Sequence, residues 1–242
     1  MKITQIGQVY QLSFLPRVFP VNCYFVEEED SLTLIDAALP SSDQAILRAA
    51  AGIGKPIARI VLTHAHGDHI GALDKLKAAL PNAKVYVSRR DARLLGGDKS
   101  LDPEEPATPI RGGVPKPGAI RTKPDVLLED GDRVGSLLAV SAPGHTPGSM
   151  AFYDTRGGAL IAGDAMQTRG GIAVTGQFKI RFPFPAMATW NKEAALSSVR
   201  RLRELEPSLL CVGHGVMVER PAAVMDRAME EAAAERKRKA GG

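Results

Sequence analysis

Thr63-His64-Ala65-His66-Gly67-Asp68-His69 follows directly on an apolar run at residues 57–62. In an extended stretch, side chains two residues apart face the same way, so His64 and His66 are placed to grip one metal ion together. Asp68 and His69 fall at the start of the following helical pattern, turned toward an adjacent position. Imidazole nitrogen and carboxylate oxygen are ligands that suit zinc, at about 2.0–2.2 Å. The competing reading is of histidines scattered through core and surface. Their distribution weighs against it: of the 5 histidines in the chain, none lies outside the candidate set, and His145 and His214 each follow an apolar strand-like run beside glycines.

Working outward, four apolar runs each end in a candidate ligand. Residues 57–62 lead into His64, His66, Asp68 and His69; residues 137–141 into His145; residues 160–162 into Asp164; residues 209–212 into His214. Strand ends bring side chains from distant parts of a sequence to one edge of a rigid scaffold. Three ligands and a water leave a catalytic metal site open, and two such sites about 3.5–4 Å apart can share a bridging hydroxide. Gly144, Gly148, Gly163, Gly213 and Gly215 flank the later ligands, where they serve as turns and let backbone pass close to a metal centre.

The rest of the chain frames these runs. Residues 3–12, 21–26 and 32–35 read as strands separated by turn signals. Ser41-Ser42-Asp43 offers N-cap residues before a short helix at 44–51. Strands at 57–62 and 85–87 enclose helical spacing over 70–80, which stops at Pro81-Asn82. Between 91 and 125, Pro103, Pro106, Pro109, Pro115, Pro117 and Pro124 exclude a continuous helix or central strand, and so long a loop is either functional or disordered. Strands resume at 126–128, 137–141, 150–153 and 160–162. A helix at 192–205, a strand at 209–212 and a final helix at 221–239, with Pro221 in its first turn, complete the chain. With no short-period repeat and no linker between independent cores, residues 1–242 read as one α/β domain.

The apolar fraction, 44%, is that of a globular protein, and no apolar run is long enough to cross a bilayer. The N-terminus enters an alternating pattern rather than a signal-peptide h-region, so a cytoplasmic protein is expected. Cys23 and Cys211 sit within apolar runs and read as buried thiols rather than a disulfide framework or a metal pair. The formal net charge of +4 is accounted for by Arg236, Lys237, Arg238 and Lys239. A short basic tail reads as a solvated helix end whose cations suit the helix dipole, so no nucleic-acid partner is expected.

Together with Pro143-Gly144-His145-Thr146-Pro147-Gly148-Ser149, Gly163-Asp164, Gly213-His214-Gly215 and the early Leu34-Ile35-Asp36, the opening segment closely resembles the metallo-β-lactamase-fold hydrolases. The resemblance runs from about Ile3 to Val218, with the motifs in the family's order. It implies an αββα sandwich with metals at one edge between two sheets. By position, His64, His66 and His145 would hold one metal, Asp68, His69 and His214 the other, and Asp164 would bridge them. Two Zn2+ per chain are implied, with Fe or Mn as other candidates. Asp36 and Thr63 look like supports that orient the ligands; a strand-end aspartate and a capping threonine are the plainer readings. The implied reaction is attack by a metal-bridging hydroxide on an ester, lactone or thioester carbonyl, with Asp68 passing a proton to the leaving atom.

Departures from known subgroups narrow this. The bridging aspartate is usual in the lactonase and glyoxalase II groups and absent from the true β-lactamases, which makes a β-lactam hydrolase the weaker alternative. The stretch after His214 is too short for glyoxalase II's helical domain, and Gln167 stands where N-acyl homoserine lactonases commonly carry tyrosine. Transfer-RNA-processing nucleases share His66 to His69 but lack the Gly-His-Thr-Pro-Gly form. A mononuclear iron persulfide dioxygenase is the alternative from another reaction class; the complete two-metal ligand set weighs against it. Phe14, Leu15, Val18 and Phe19 fall at a loop tip that overhangs the metals in this fold. Met166, Phe178, Phe182, Phe184, Met187 and Trp190 follow Asp164. These side chains are read as an apolar pocket wall selecting a small substrate with an apolar acyl group, or else as core or a homo-oligomer interface. Arg17, Arg169, Lys179 and Arg181 are the nearest cations, candidates to meet a substrate carboxylate or simply surface charge.

Overall fold

Strands that are apolar at almost every position need cover on both faces, and both sheets of this protein have it. The computed structural model describes residues 1–240, with side chains through Arg238. Seven strands form the first sheet in chain order: β1 (Lys2–Ile6), β2 (Val9–Phe14), β3 (Val21–Glu27), β4 (Leu32–Ile35), β5 (Ile57–Val61), β6 (Lys84–Ser88) and β7 (Val126–Leu128). The later strands are β8 (Arg133–Val134), β9 (Leu137–Ser141), β10 (Met150–Asp154), β11 (Ala159–Ile161), β12 (Met166–Gln167), β13 (Ala173–Val174), β14 (Leu209–Cys211) and β15 (Val218–Glu219). The second sheet has the order β15-β14-β11-β10-β9-β8, and β12 pairs with β13 as a short ribbon. Helices α1 (Asp43–Ile53), α2 (Gly67–Ile70), α3 (Leu73–Ala79) and α4 (Arg89–Leu95) belong to the first half. The second half has α5 (Phe184–Ala188), α6 (Lys192–Glu204) and α7 (Ala222–Ala240).

The two-residue period of the strands sorts side chains between layers. From β3, Val21, Cys23 and Phe25 join Ile46, Leu73, Leu76 and Leu94 of the helices outside, while Tyr24 and Val26 enter the core between the sheets. In the second sheet, Met150, Phe152, Ile161 and Cys211 enter that same middle core, and Ala151, Leu160 and Leu210 pack on α6 and α7. The layers are helix, sheet, sheet, helix: the αββα sandwich that the family resemblance implied. Both cysteines are buried and unpaired. Among the described residues no helix is long and apolar enough to cross a membrane.

Strands β4, β5 and β6 run parallel. So do β11 and β14, and β9 shares their direction because β9 and β11 are both antiparallel to β10. The ligand-bearing loops therefore all leave C-terminal strand ends. Bonds between the halves lock those ends together: Met150 N donates to Thr63 O (2.8 Å), and Asn22 N to Gly213 O (2.9 Å).

Four local readings differ from the structure. Residues 3–12 are a hairpin rather than one strand, because Gly7 takes φ 55° and turns the chain between Ile6 and Val9. The helical pattern over 70–80 breaks between Ile70 and Leu73, where Gly71 N bonds Ala38 O (2.8 Å) instead of a helical carbonyl. The segment 91–125 begins inside α4, which Ser88 caps by accepting from Asp91 N. The aromatic segment after Asp164 contains β12, β13 and α5, short elements set by tertiary contacts rather than by periodicity.

Candidate metal centre

Seven side chains meet where these strands end: His64, His66, Asp68, His69, His145, Asp164 and His214. Their donor atoms form three groups, each within 4.8 Å: His64 with His66 and His145, His64 with His69 and Asp164, and Asp68 with His69 and His214. Six of the seven are buried; Asp68 alone keeps its side chain 28% exposed.

The hydrogen bonds around the rings assign their tautomers. His69 Nδ1 donates to Asp36 Oδ2 (2.7 Å) and His214 Nδ1 to the carbonyl of Pro20 (2.7 Å). Thr63 Oγ1 donates to Asp36 Oδ2 (2.7 Å), so at 3.0 Å it can only accept from His64 Nδ1. Thr189 Oγ1 donates to Pro185 O (2.6 Å) and so accepts from Thr175, which in turn accepts from His145 Nδ1 (3.1 Å). His66 Nε2 donates to Arg111 O (3.0 Å). In its neutral form each ring thus has one N–H held by an acceptor and its other nitrogen turned into the centre, as a metal ligand needs. His66 Nδ1 and His145 Nε2 lie 3.0 Å apart with no proton between them. His64 Nε2, His69 Nε2 and Asp164 Oδ1 are buried without a hydrogen-bond partner. Buried polar atoms are normally satisfied, so converging, unsatisfied lone pairs are what a cation site requires. The residues fit divalent metal.

Asp164 sits between the groups, with His214, His145 and His69 Nε2 at 3.1, 3.3 and 3.4 Å. Burial works to raise its pKa, but His214, His69 and His145 outweigh that and hold it well below the usual carboxylate range. Burial, then the neighbouring rings of His69, His145 and His66, push His64 well below the ordinary imidazole value. Burial also keeps His145 low, against the pull of Asp164. His69 is pushed down by burial yet ends well above the ordinary value through Asp164, Asp36 and Asp68. Asp36 reaches this arrangement with φ 63°, a left-handed backbone that costs free energy and is typical of constrained sites.

Several contributors carry no motif. Asp91 is fully buried and accepts from Ala65 N (3.0 Å), Thr146 Oγ1 (2.8 Å) and Gly148 N (2.9 Å). It ties the backbone between His64 and His66 to the loop carrying His145. Burial pushes its carboxyl up to about 6, against those donors. With the folded pKa above the unfolded one near 3.9, its contribution to stability is full below about pH 4 and is lost as pH rises through about 6, roughly 3 kcal/mol in all. Urea melts in chelator across this range are expected to show that fall, and Asp91→Asn to flatten it. Equal slopes in the two proteins would contradict the linkage.

The long loop of residues 96–125 reaches the centre as well: Gly67 N donates to Gly113 O (2.9 Å), and Trp190 Nε1 anchors the loop at Thr108 O (2.8 Å). Gly112 and Gly113 form one wall of a cavity of about 360 Å³ over the metal ligands; Phe19, Phe184, Pro185 and Met187 form another. Phe182 stands behind them, its ring 5.1 Å from Phe19 and 5.3 Å from His214. Six of the expected wall residues lie elsewhere; of these Leu15 and Val18 line a neighbouring cavity and Trp190 is buried in the outer core. Phe14 packs half-buried on the outer helical core, Met166 is buried under α6 and α7, and Phe178 is 60% exposed. Strand alternation sends Phe14 and Met166 to the far side of their sheets, and the loop after β13 turns Phe178 outward.

The family model described as the metallo-beta-lactamase superfamily matches residues 16–214, all seven side chains included. The chain belongs to the metallo-beta-lactamase superfamily. Within this superfamily it is similar to the uncharacterized protein YobT of Bacillus subtilis (strain 168), 58% identical over 96% of this chain and 99% of that one. The probable metallo-hydrolase YflN of the same strain is 31% identical over 81% of this chain and 80% of its own. Among solved structures, TTHA1623 in a di-iron-bound form superposes with a TM-score of 0.63 at 28% identity, covering 88% of this chain and 96% of that one.

Proposed function

We propose that residues 1–242 act as one domain and that the protein is a dinuclear metal-dependent hydrolase cleaving esters, lactones or thioesters with an apolar acyl group. One observation carries this reading: every imidazole has one nitrogen held by an acceptor and the other aimed into a common centre beside Asp164. His64, His66 and His145 would hold one ion, Asp68, His69 and His214 the second, and Asp164 would touch both. When bound, such ions supply an activated water at neutral pH and polarise a carbonyl oxygen. Zinc suits these donors; the di-iron form of the TTHA1623 relative supports iron as the alternative.

The protein's own groups do the rest. Phe19, Phe184, Pro185 and Met187 shape an apolar wall beside the ligands and select the acyl part, with Phe182 stiffening it. Asp68, 28% exposed where the other six side chains are buried, would exchange a proton with the leaving atom. Its removal by Asp68→Asn is expected to lower kcat by about 100-fold, in the range of general acid–base catalysis, with the metals retained.

The test is metal quantification on the purified chain together with a panel of lactone, thioester, β-lactam and phosphodiester substrates. Two metal equivalents and hydrolysis of lactones or thioesters, faster with longer apolar acyl groups, are expected. Equal rates on short polar and long apolar acyl substrates would remove the role given to the aromatic wall. A single iron with oxygen consumption would replace hydrolysis by the persulfide dioxygenase-like reaction.

A further inference from the structure

A second cavity, larger than the first at about 830 Å³, opens beside the metal centre and shares none of its lining residues. The two are close along the chain: Phe19 and His214 line one, Pro20 and Gly215 the other. Lys2, Arg17 and Arg169 line the larger cavity, and no aspartate or glutamate does. Some cations elsewhere are paired, as Arg90 with Glu105, Arg156 with Asp154 and Lys179 with Glu231. None of the three lining cations has a carboxylate partner among the described residues. Arg169 is held in place, its Nη2 donating to Arg17 O (2.6 Å).

Deeper in the cavity lies Ser13 of β2, only 5% exposed, whose hydroxyl has no hydrogen-bond partner among the described residues. Beside it Gln11 is fixed by donating to Tyr24 Oη (3.0 Å) and Gly215 O (3.1 Å). Leu15 and Val216, both more than half exposed, supply apolar surface near the mouth. Clustered cations without counter-charges repel one another, and a bound anion relieves that repulsion. Guanidinium groups match carboxylate and phosphate oxygens in charge and geometry. A bare inorganic ion would leave the apolar surface and most of the volume unused.

We propose that this cavity is a second ligand site, for a small organic anion with an apolar body: its charged end meets Arg17 and Arg169, and a polar atom reaches the Ser13 hydroxyl. The site is independent of the reaction assigned to the metal centre, so neither stands or falls with the other.

The test is an amide-resolved NMR titration of the zinc-loaded full chain with hexanoate, hexanamide and inorganic phosphate. Hexanoate is expected to shift the amides of Ser13, Val18, Gly170 and Val216. Hexanamide and phosphate should each bind about tenfold or more weakly. Arg17→Gln, whose side chain makes no bond among the described residues, and Arg169→Gln should each weaken hexanoate by a similar factor, with metal content unchanged. Equal binding of hexanamide or of phosphate overturns the proposal, as do unchanged affinities in Arg17→Gln. Shifts confined to Gly112 and Gly113 beside the metal centre would overturn it too, and so would sedimentation showing a second copy seated over Leu15 and Val18.

Discussion

Replacing Asp164 by Asn is expected to lower kcat/KM about 1,000-fold or more, some 4 kcal/mol of transition-state stabilisation, and to leave one metal equivalent or fewer on the chain. The reason lies in what surrounds the carboxylate. It is 5% exposed, and the inward-facing Nε2 atoms of His214, His145 and His69 approach within 3.4 Å. A buried charge of this kind is tolerated only where it is compensated, and in the reading proposed above Asp164 would be the ligand common to both ions. Asparagine keeps the shape but removes the charge, and it turns an N–H toward groups built to receive a cation. Metal analysis and kcat/KM on the best substrate of the panel decide the matter. An Asp164→Asn protein holding two metals with unchanged kcat/KM would remove Asp164 from between the two sites.

The apolar runs made one α/β domain legible, and the ligand motifs that follow those runs carried the family resemblance that implied the sandwich. His64 to His69 could be read as a cluster by spacing alone; His145, Asp164 and His214 could be read because each ends such a run. What supports the cluster was harder to see. Asp91 lies in a stretch that reads as the start of a proline-rich loop, and only the fold brings it under Ala65, Thr146 and Gly148. Thr175 and Thr189, which fix His145, are isolated polar residues with no pattern of their own. Arg111 acts through its carbonyl, a group that every residue possesses. Of the apolar residues near the ligands in sequence, Phe19 and Phe184 line the cavity beside them, whereas Met166 follows the alternation of β12 into the core. An apolar side chain after a ligand carries no mark of which side it will take.

Gly213→Ala is expected to cost nearly as much as losing a ligand, although glycine touches no metal. A Cβ at Gly213 would overlap Asp164 Oδ1 and lie 2.7 Å from His69 Cε1. The backbone cannot retreat, because Gly213 N donates to Gly163 O (2.9 Å) while its own carbonyl accepts from Asn22 N (2.9 Å). The methyl group must therefore displace Asp164 and His69, which belong to both halves of the centre. Overpacking of this kind costs about 1–3 kcal/mol of stability, and a displacement of about 1 Å at reacting groups costs about 100-fold in rate. Zinc stabilises a chain that binds it only when folded, so thermal melts with and without zinc separate the two effects. The wild type should gain melting temperature on adding zinc, and Gly213→Ala should gain little. Gly157→Ala is the control, since its Cβ would meet only Gln8 Oε1 at an ordinary 3.6 Å. If Gly213→Ala kept the full zinc-induced shift and wild-type activity, the close passage of backbone past Asp164 would have no part in holding the centre.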